Sequence, residues 1–428
     1  MPASETPPAS LTTDAIVTPA PGKPTEHVAV MDGLRGLAIA LVVLFHYWLL
    51  SFYVIPLPGT KTHNLEFIQF AGFLGVELFF FISAFCLYYP IASGKQFAVG
   101  HFFYRRAIKI IPSYLLVLVV FAFFVPSLYP STWEHGKFAD LGLHLLFLHN
   151  FSVPTHGSFN GVLWSLAVEV QFYLLFPFIA WVFKRRPFIT FALMVGGAIA
   201  YRAWIRGGTE DHFKFWTDFL PSFIDLFAFG MLAAWVMVWI RQRPKTAAKL
   251  KLPITVAALL SFVLVLIVFR WAYDVRFDRP IAYWQSENRA YIGALFMSLA
   301  VASAFALPAW RAVLSNRVLV FLSTISYNLY LWHQGVGLFI RNEGIWPADT
   351  DPPTDDPTWR LPYMLFGIVM SIVVAALITY LFERPLLRDG VRGTAQRVRA
   401  RLPGGHTDGG DGTDGGAPAE ATPAVAGS

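Results

Sequence analysis

Residues 31–48 read MDGLRGLAIALVVLFHYW, and how the rest of the chain is read depends on this stretch. From Leu37 to Phe45 every side chain is apolar, yet an arginine opens the run and a histidine sits deep within it. An apolar run of this kind suits a membrane span, and a kept ionisable group inside a span points to function. Arg35 and His46 are eleven residues apart. On a helix that is about 16 Å of rise, and eleven steps of about 100° return close to the same face. Both side chains are therefore expected in one groove at different depths. The plainer alternatives are a topology anchor for Arg35 and an interhelical hydrogen bond for His46.

The composition extends this reading to the whole chain. The 428 residues are 56% hydrophobic, 16% aromatic and only 14% charged, with a mean hydropathy of +0.53. Soluble domains carry about 25% charged residues, so a soluble globular enzyme is excluded. Ten apolar runs are long enough to span a bilayer: 34–54, 71–91, 108–128, 162–183, 187–204, 218–240, 253–272, 290–308, 318–340 and 361–382. The predicted fold class is all-α, a polytopic membrane helix bundle of about ten transmembrane helices. The run at 141–151 is too short to span and predicts an interfacial or re-entrant piece. A Pro-, Ala-, Ser- and Thr-rich segment at 1–29 and a basic, then Gly- and Asp-rich segment at 386–428 predict disordered tails around a membrane domain at 30–385. The single cysteine, Cys86, rules out an internal disulfide framework and any cysteine-cluster metal site.

The net charge of +6 does not point to nucleic acid, because the basic residues sit at the ends of apolar runs and not in a block. With a cytoplasmic N-terminus, 22 of the 33 Lys and Arg residues fall on the cytoplasmic side. That bias and the even number of spans predict a multi-pass inner-membrane protein with both termini cytoplasmic.

Burying a charge at mid-bilayer costs about 2.5–3.5 kcal/mol on insertion scales. The ionisable residues kept inside spans are His46, Glu77, Glu169, Asp225 and His333. A His–carboxylate pair serves general-base chemistry, the carboxylate orienting the imidazole; Glu77 or Glu169 is a candidate partner for His46. Asp225 also suits a local cap or pair. The ninth span reads STISYNLYLWH at 323–333, where Ser323, Ser326, Tyr330 and His333 share one helix face. Such a stripe faces protein or a wet cavity, not lipid. Arg105, Arg106 and Lys109 cluster where the third span begins, as anchors against lipid phosphate or as a phosphate clamp. Buried His and Glu in ten spans also suit a proton-coupled permease, although no internal repeat is visible.

Six strings in this order resemble membrane acyltransferase family 3: the Arg35 to His46 spacing, GVELFFFISAF at 75–85, YRRAIKIIP at 104–112, WSLAVEVQFYLL at 164–175, SYNLYLWH at 326–333 and FERP at 382–385. The match covers about residues 30–385. The resemblance implies an O-acyltransferase with acyl-coenzyme A as co-substrate, no bound cofactor or metal, and a hydroxyl acceptor, often on a carbohydrate or glycoside. It implies His46 as the catalytic histidine, Arg35 as its motif partner, and Arg105, Arg106 and Lys109 as the donor side. Trp164, Ser326, Tyr330 and His333 then belong to the acceptor side or cavity. Lys109 stands where a second spaced arginine is expected, and Ala84 where the family often has glycine.

Overall fold

A computed structural model describes residues 28–60, 63–125, 136–345, 357–388 and 390. Of the tails expected at 1–29 and 386–428, residues 1–27, 389 and 391–428 lie outside these described residues, while Ala29 opens α1 and residues 386–388 continue the last helix instead of being disordered. The elements are α1 (Ala29–Ser51), α2 (Glu66–Ala92), α3 (Val99–Phe124), the short α4 (Lys137–Leu145), α5 (Leu163–Arg185), α6 (Pro187–Arg206), α7 (Ile224–Arg241), α8 (Lys251–Val275), α9 (Ile281–Phe305), α10 (Arg317–Asn342) and α11 (Arg360–Arg388). Among the described residues no strand forms beyond one isolated bridge between Pro56 and Asn64.

Each of the ten expected spans coincides with a long helix. Eight are long and apolar enough to cross a membrane. The other two, α9 and α10, have 25 and 26 residues, and a rise of about 1.5 Å per residue makes each longer than the hydrocarbon core. They miss the apolar standard because α9 carries Gln285, Glu287, Asn288 and Arg289, and α10 carries the polar stripe from Ser323 to His333. The helices also outrun their apolar cores. α3 begins at Val99, well before the expected 108, so Arg105, Arg106 and Lys109 lie inside the helix and not at its mouth. The segment expected to be interfacial forms the end of α4 and a short turn at His149–Phe151, with His144, His149 and Asn150 buried.

α1 is gripped from two sides. A Cβ on Gly36 would lie 2.1 Å from the Leu319 carbonyl oxygen of α10, and one on Gly75 of α2 would lie 2.5 Å from the Ala38 carbonyl oxygen of α1. Small residues at such crossings let backbones approach and substitute van der Waals contact for the hydrophobic drive that lipid does not supply. Leu174, Phe178, Leu193, Leu260 and Leu381 stay exposed on the outside of the bundle, as lipid-facing residues should. Arg35 of α1 meets Cys86 of α2, Arg241 of α7 meets Tyr89 of α2, and Lys109 of α3 meets Glu383 of α11. Arg35, Cys86 and Lys109 line one cavity, so the N-terminal halves of α1 and α3 and the C-terminal ends of α2, α7 and α11 share one side, called the inner side below.

Candidate active site

Two histidines from the tightly packed pair α1 and α10 meet near the centre. His46 Nδ1 lies 2.9 Å from the Val42 carbonyl oxygen and 3.1 Å from His333 Nε2. His333 Nδ1 lies 2.9 Å from the carbonyl oxygens of both Leu329 and Tyr330. A carbonyl oxygen only accepts, so each Nδ1 carries the hydrogen. In neutral His333 the Nε2 is then a lone pair, and it accepts from His46 Nδ1–H. This tautomer follows from the hydrogen-bond network. It leaves His46 Nε2 as an unprotonated ring nitrogen, the form a general base requires.

A cavity of about 160 Å³ lies on the inner side of the histidines, lined by Arg35, Arg106, Lys109, Glu169, Ser326 and Tyr330 among others. Arg35 Nη2 donates to Cys86 Sγ at 3.6 Å, and Arg106 sits over the Tyr173 ring at 5.8 Å with its Nε buried and unpartnered. Lys109 is committed to Glu383, whose other oxygen accepts from Asn328 Nδ2 at 2.8 Å. A π-type turn over Thr379–Glu383 brings Thr379 to the same amide, 2.9 Å away; such turns widen a helix and recur at functional sites. Tyr173 donates to Glu169 and lies 3.0 Å from Ser83 Oγ.

A second cavity lies on the far side, lined by His46, Glu77, Trp164, Asp218, Gln285 and Arg289 among others. Val76 and Tyr330 line both cavities, so the two abut there. Tyr330 OH donates to the Val162 carbonyl at 3.0 Å and lies 2.5 Å from Ser165 Oγ. Behind the outer cavity runs a buried ion network. Glu77 Oε1 accepts from Arg289 Nε at 2.9 Å and from Gln285 Nε2 at 2.8 Å. Arg289 and Arg202 both donate to the Ser222 carbonyl, at 3.1 and 2.8 Å, and Arg202 pairs with Asp225 at 2.7 Å.

Arg35 and His46 thus line two abutting cavities, where the spacing predicted one groove. Neither carboxylate proposed for His46 is its hydrogen-bond partner: Glu169 pairs with Tyr173, Glu77 with Arg289, and His333 occupies that place. Arg106 and Lys109 line the inner cavity; Arg105 is exposed and does not, because neighbouring residues on a helix point about 100° apart. Ser326 faces the inner cavity, Trp164 the outer, Tyr330 both, and His333 is fully buried behind His46. Asp225 pairs locally, with Arg202. Sequence reasoning missed Arg289, Arg202, Asn328 and Glu383. The available signals were an arginine within an otherwise spanning helix and the acid of the FERP string.

The sequence profile of acyltransferase family 3, described as an acyltransferase domain, matches residues 28–380. The peptidoglycan O-acetyltransferase OatA of Listeria monocytogenes is 21% identical over 85% of this chain and 56% of its own length. A protein of Staphylococcus aureus (strain COL) provisionally named an O-acetyltransferase is 24% identical, over 86% of this chain and 59% of its own. A Bacillus subtilis protein, YrhL, provisionally named a peptidoglycan O-acetyltransferase, is 24% identical over 87% and 57%. The chain spans less than three fifths of each of these relatives. No solved structure matches it. The profile takes in the whole helix bundle apart from the last turns of α11, both histidines included, and the chain belongs to acyltransferase family 3.

Proposed function

We propose that the chain is an integral-membrane O-acyltransferase that moves an acyl group, acetyl or similar, from acyl-coenzyme A to a hydroxyl of a carbohydrate or glycosylated acceptor, with His46 as general base. The observation that carries it is the His46–His333 contact between two cavities, one rich in arginine and one polar and aromatic. We take the inner side as cytoplasmic, in keeping with the Lys and Arg bias of the loops, with the bundle in the inner membrane and both termini on that side. Coenzyme A is cytoplasmic and carries several phosphate charges, which suit Arg106 and Arg35. Its pantetheine arm then extends toward Val76 and Tyr330, and the acceptor comes from the outer cavity.

In the reaction the acceptor oxygen attacks the thioester carbonyl as His46 Nε2 takes its proton. The positive charge on the ring is shared through Nδ1–H with His333 Nε2 and the Val42 carbonyl. The tetrahedral intermediate breaks its C–S bond, and the departing thiolate of coenzyme A recovers the proton from His46. Ester and free thiol leave, and the histidine returns to its starting tautomer. The peptidoglycan named for two relatives is one acceptor of the proposed class.

The chain supplies its own probe. Cys86 is the sole cysteine, is exposed, and lines the inner cavity beside Arg35. Acetyl-coenzyme A should protect Cys86 from maleimide in nanodiscs, and His46→Ala should keep that protection while transfer falls by about 10²–10⁴. Unprotected Cys86, or a His46→Ala variant with near-normal transfer, refutes the proposal.

A further inference from the structure

Glu77 is 1% exposed and lines the outer cavity, yet only one of its carboxylate oxygens is used. Oε1 accepts from Arg289 and Gln285, while Oε2 is buried without a hydrogen-bond partner. A buried acceptor left unpaired is unfavourable, and a ligand that donates to it removes the penalty. The charges around it are matched. Arg289 faces Glu77, Arg202 faces Asp225, and His156 lies 3.1 Å from Asp218. Arg289, the arginine lining this cavity, is already held by Glu77 and by Ser222. An anionic ligand would meet the carboxylates of Glu77 and Asp218 with no arginine to spare. A neutral one with hydroxyl donors meets what the cavity offers. The walls add Phe73, Trp164 and Phe223, and a pyranose has both an apolar C–H face and a hydroxyl rim.

We propose that the outer cavity binds a neutral glycoside at two points: the reacting hydroxyl at His46 Nε2 and a second hydroxyl donated to Glu77 Oε2. The assignment rests on the acyl transfer proposed above and gives Glu77 a task in specificity. With one hydroxyl tied to Glu77, the sugar cannot rotate freely, and the hydroxyl that reaches His46 is fixed. Glu77 then selects which position is acylated, and Arg289 and Gln285 hold the carboxylate in place.

The test uses the full chain in nanodiscs with radiolabelled acetyl-coenzyme A and the methyl pyranosides of glucose, galactose and mannose. Each is supplied with its monodeoxy analogues and as the corresponding uronate. Transfer is expected to a neutral glycoside and not to its uronate. Removing one hydroxyl other than the acylated one should lower kcat/KM by roughly 10- to 100-fold, the loss expected of a hydrogen bond to a charged group. Glu77→Gln should cost the parent glycoside a similar factor, cost that deoxy analogue almost nothing more, and leave the KM for acetyl-coenzyme A unchanged. Multiplying losses, or a preference for the uronate, overturn the inference. Should Glu77→Gln fail to fold, seen as lost protection of Cys86, the deoxy series on the unaltered chain decides alone, and no position with a loss of about tenfold overturns it. Protection of Cys86 without transfer to any neutral glycoside sinks this inference and spares the donor site. Loss of protection in the unaltered chain sinks acyl transfer itself.

Discussion

His333 offers the sharpest test of the site, because its proposed effect is indirect and graded. His46 Nδ1–H has two acceptors, the Val42 carbonyl at 2.9 Å and His333 Nε2 at 3.1 Å. His333→Leu removes the second and leaves the first. A hydrogen bond of this kind contributes about 0.5–1.5 kcal/mol net, and each 1.36 kcal/mol is about tenfold in rate. The expected loss in kcat is therefore about 2- to 12-fold, far below the 10²–10⁴ expected when the base itself is removed in His46→Ala. The KM for acyl-coenzyme A should not move, since His333 does not line the inner cavity. His333→Gln supplies an amide oxygen that can accept from His46 Nδ1–H, and it should recover most of the rate. A role in packing alone predicts no such recovery.

Single-turnover acyl transfer in nanodiscs measures this, with Cys86 protection by coenzyme A as the control for folding. A His333→Leu loss as deep as that of His46→Ala would mean that His333 is itself the base. Equal rates for His333→Leu and His333→Gln would show that no acceptor is needed at Nδ1. Either result refutes the tautomer argument.

Other consequences follow from the packing, the charges and the outer loop. Gly36→Ala places a Cβ 2.1 Å from the Leu319 carbonyl, so α1 and α10 must part; a cost of about 1–3 kcal/mol and reduced kcat are expected by thermal denaturation and transfer assay, with Gly196→Ala, which meets nothing within 4 Å, as the neutral control. Arg106→Ala should raise the coenzyme A concentration that half-protects Cys86, while Arg105→Ala, which removes an exposed side chain outside the cavity, should leave it within about twofold, as surface changes usually do. Burial, and after it the His144 ring stacked 4.0 Å away, holds His149 down to about 2 from its ordinary 6.5. The unfolded loop thus binds a proton below its ordinary value that the folded loop refuses. The loop around α4 and His149 should keep its stability above about pH 6.5 and lose up to about 1.4 kcal/mol per pH unit below it. Hydrogen exchange over residues 137–160 should show increasing opening across that range, and pH-independent exchange after correction for intrinsic rates would refute it.

The legible part of the site was the part written along one helix. His46 stands out because nine apolar residues precede it, and His333 because it closes a stripe with a helical period. The bond between them spans 287 residues of sequence, and no periodicity within either helix encodes it. Neither Glu77 nor Glu169, the two candidate partners for His46, bonds to it, for a related reason. Depth along a span was readable, but rotation was not, and rotation turns Glu77 toward α9 and Glu169 toward its own Tyr173. Arg289 was hidden by the apolar criterion. A span begun at 290 excludes it, while the helix begins at Ile281 and buries it.

Partnered polar residues such as Arg289 are why α9 and α10 are less apolar than the other spans. Each polar residue in a span costs insertion energy, so it is kept where partners or water offset the cost. In α9 the offset is local: Arg289 has Glu77 and the Ser222 carbonyl, and Gln285 has Glu77. In α10 it is spread around the helix, with Asn328 on Thr379 and Glu383, Tyr330 on Ser165 and Val162, and His333 on His46. Every one of these partners lies on another helix or, for Val162 and Ser222, in the turn just before one. The polar residues that spoil the hydropathy of α9 and α10 are thus the ones that fix the rotation of their neighbours. A substitution that made α10 more apolar would favour insertion of the single helix and loosen the register that sets His46 against His333.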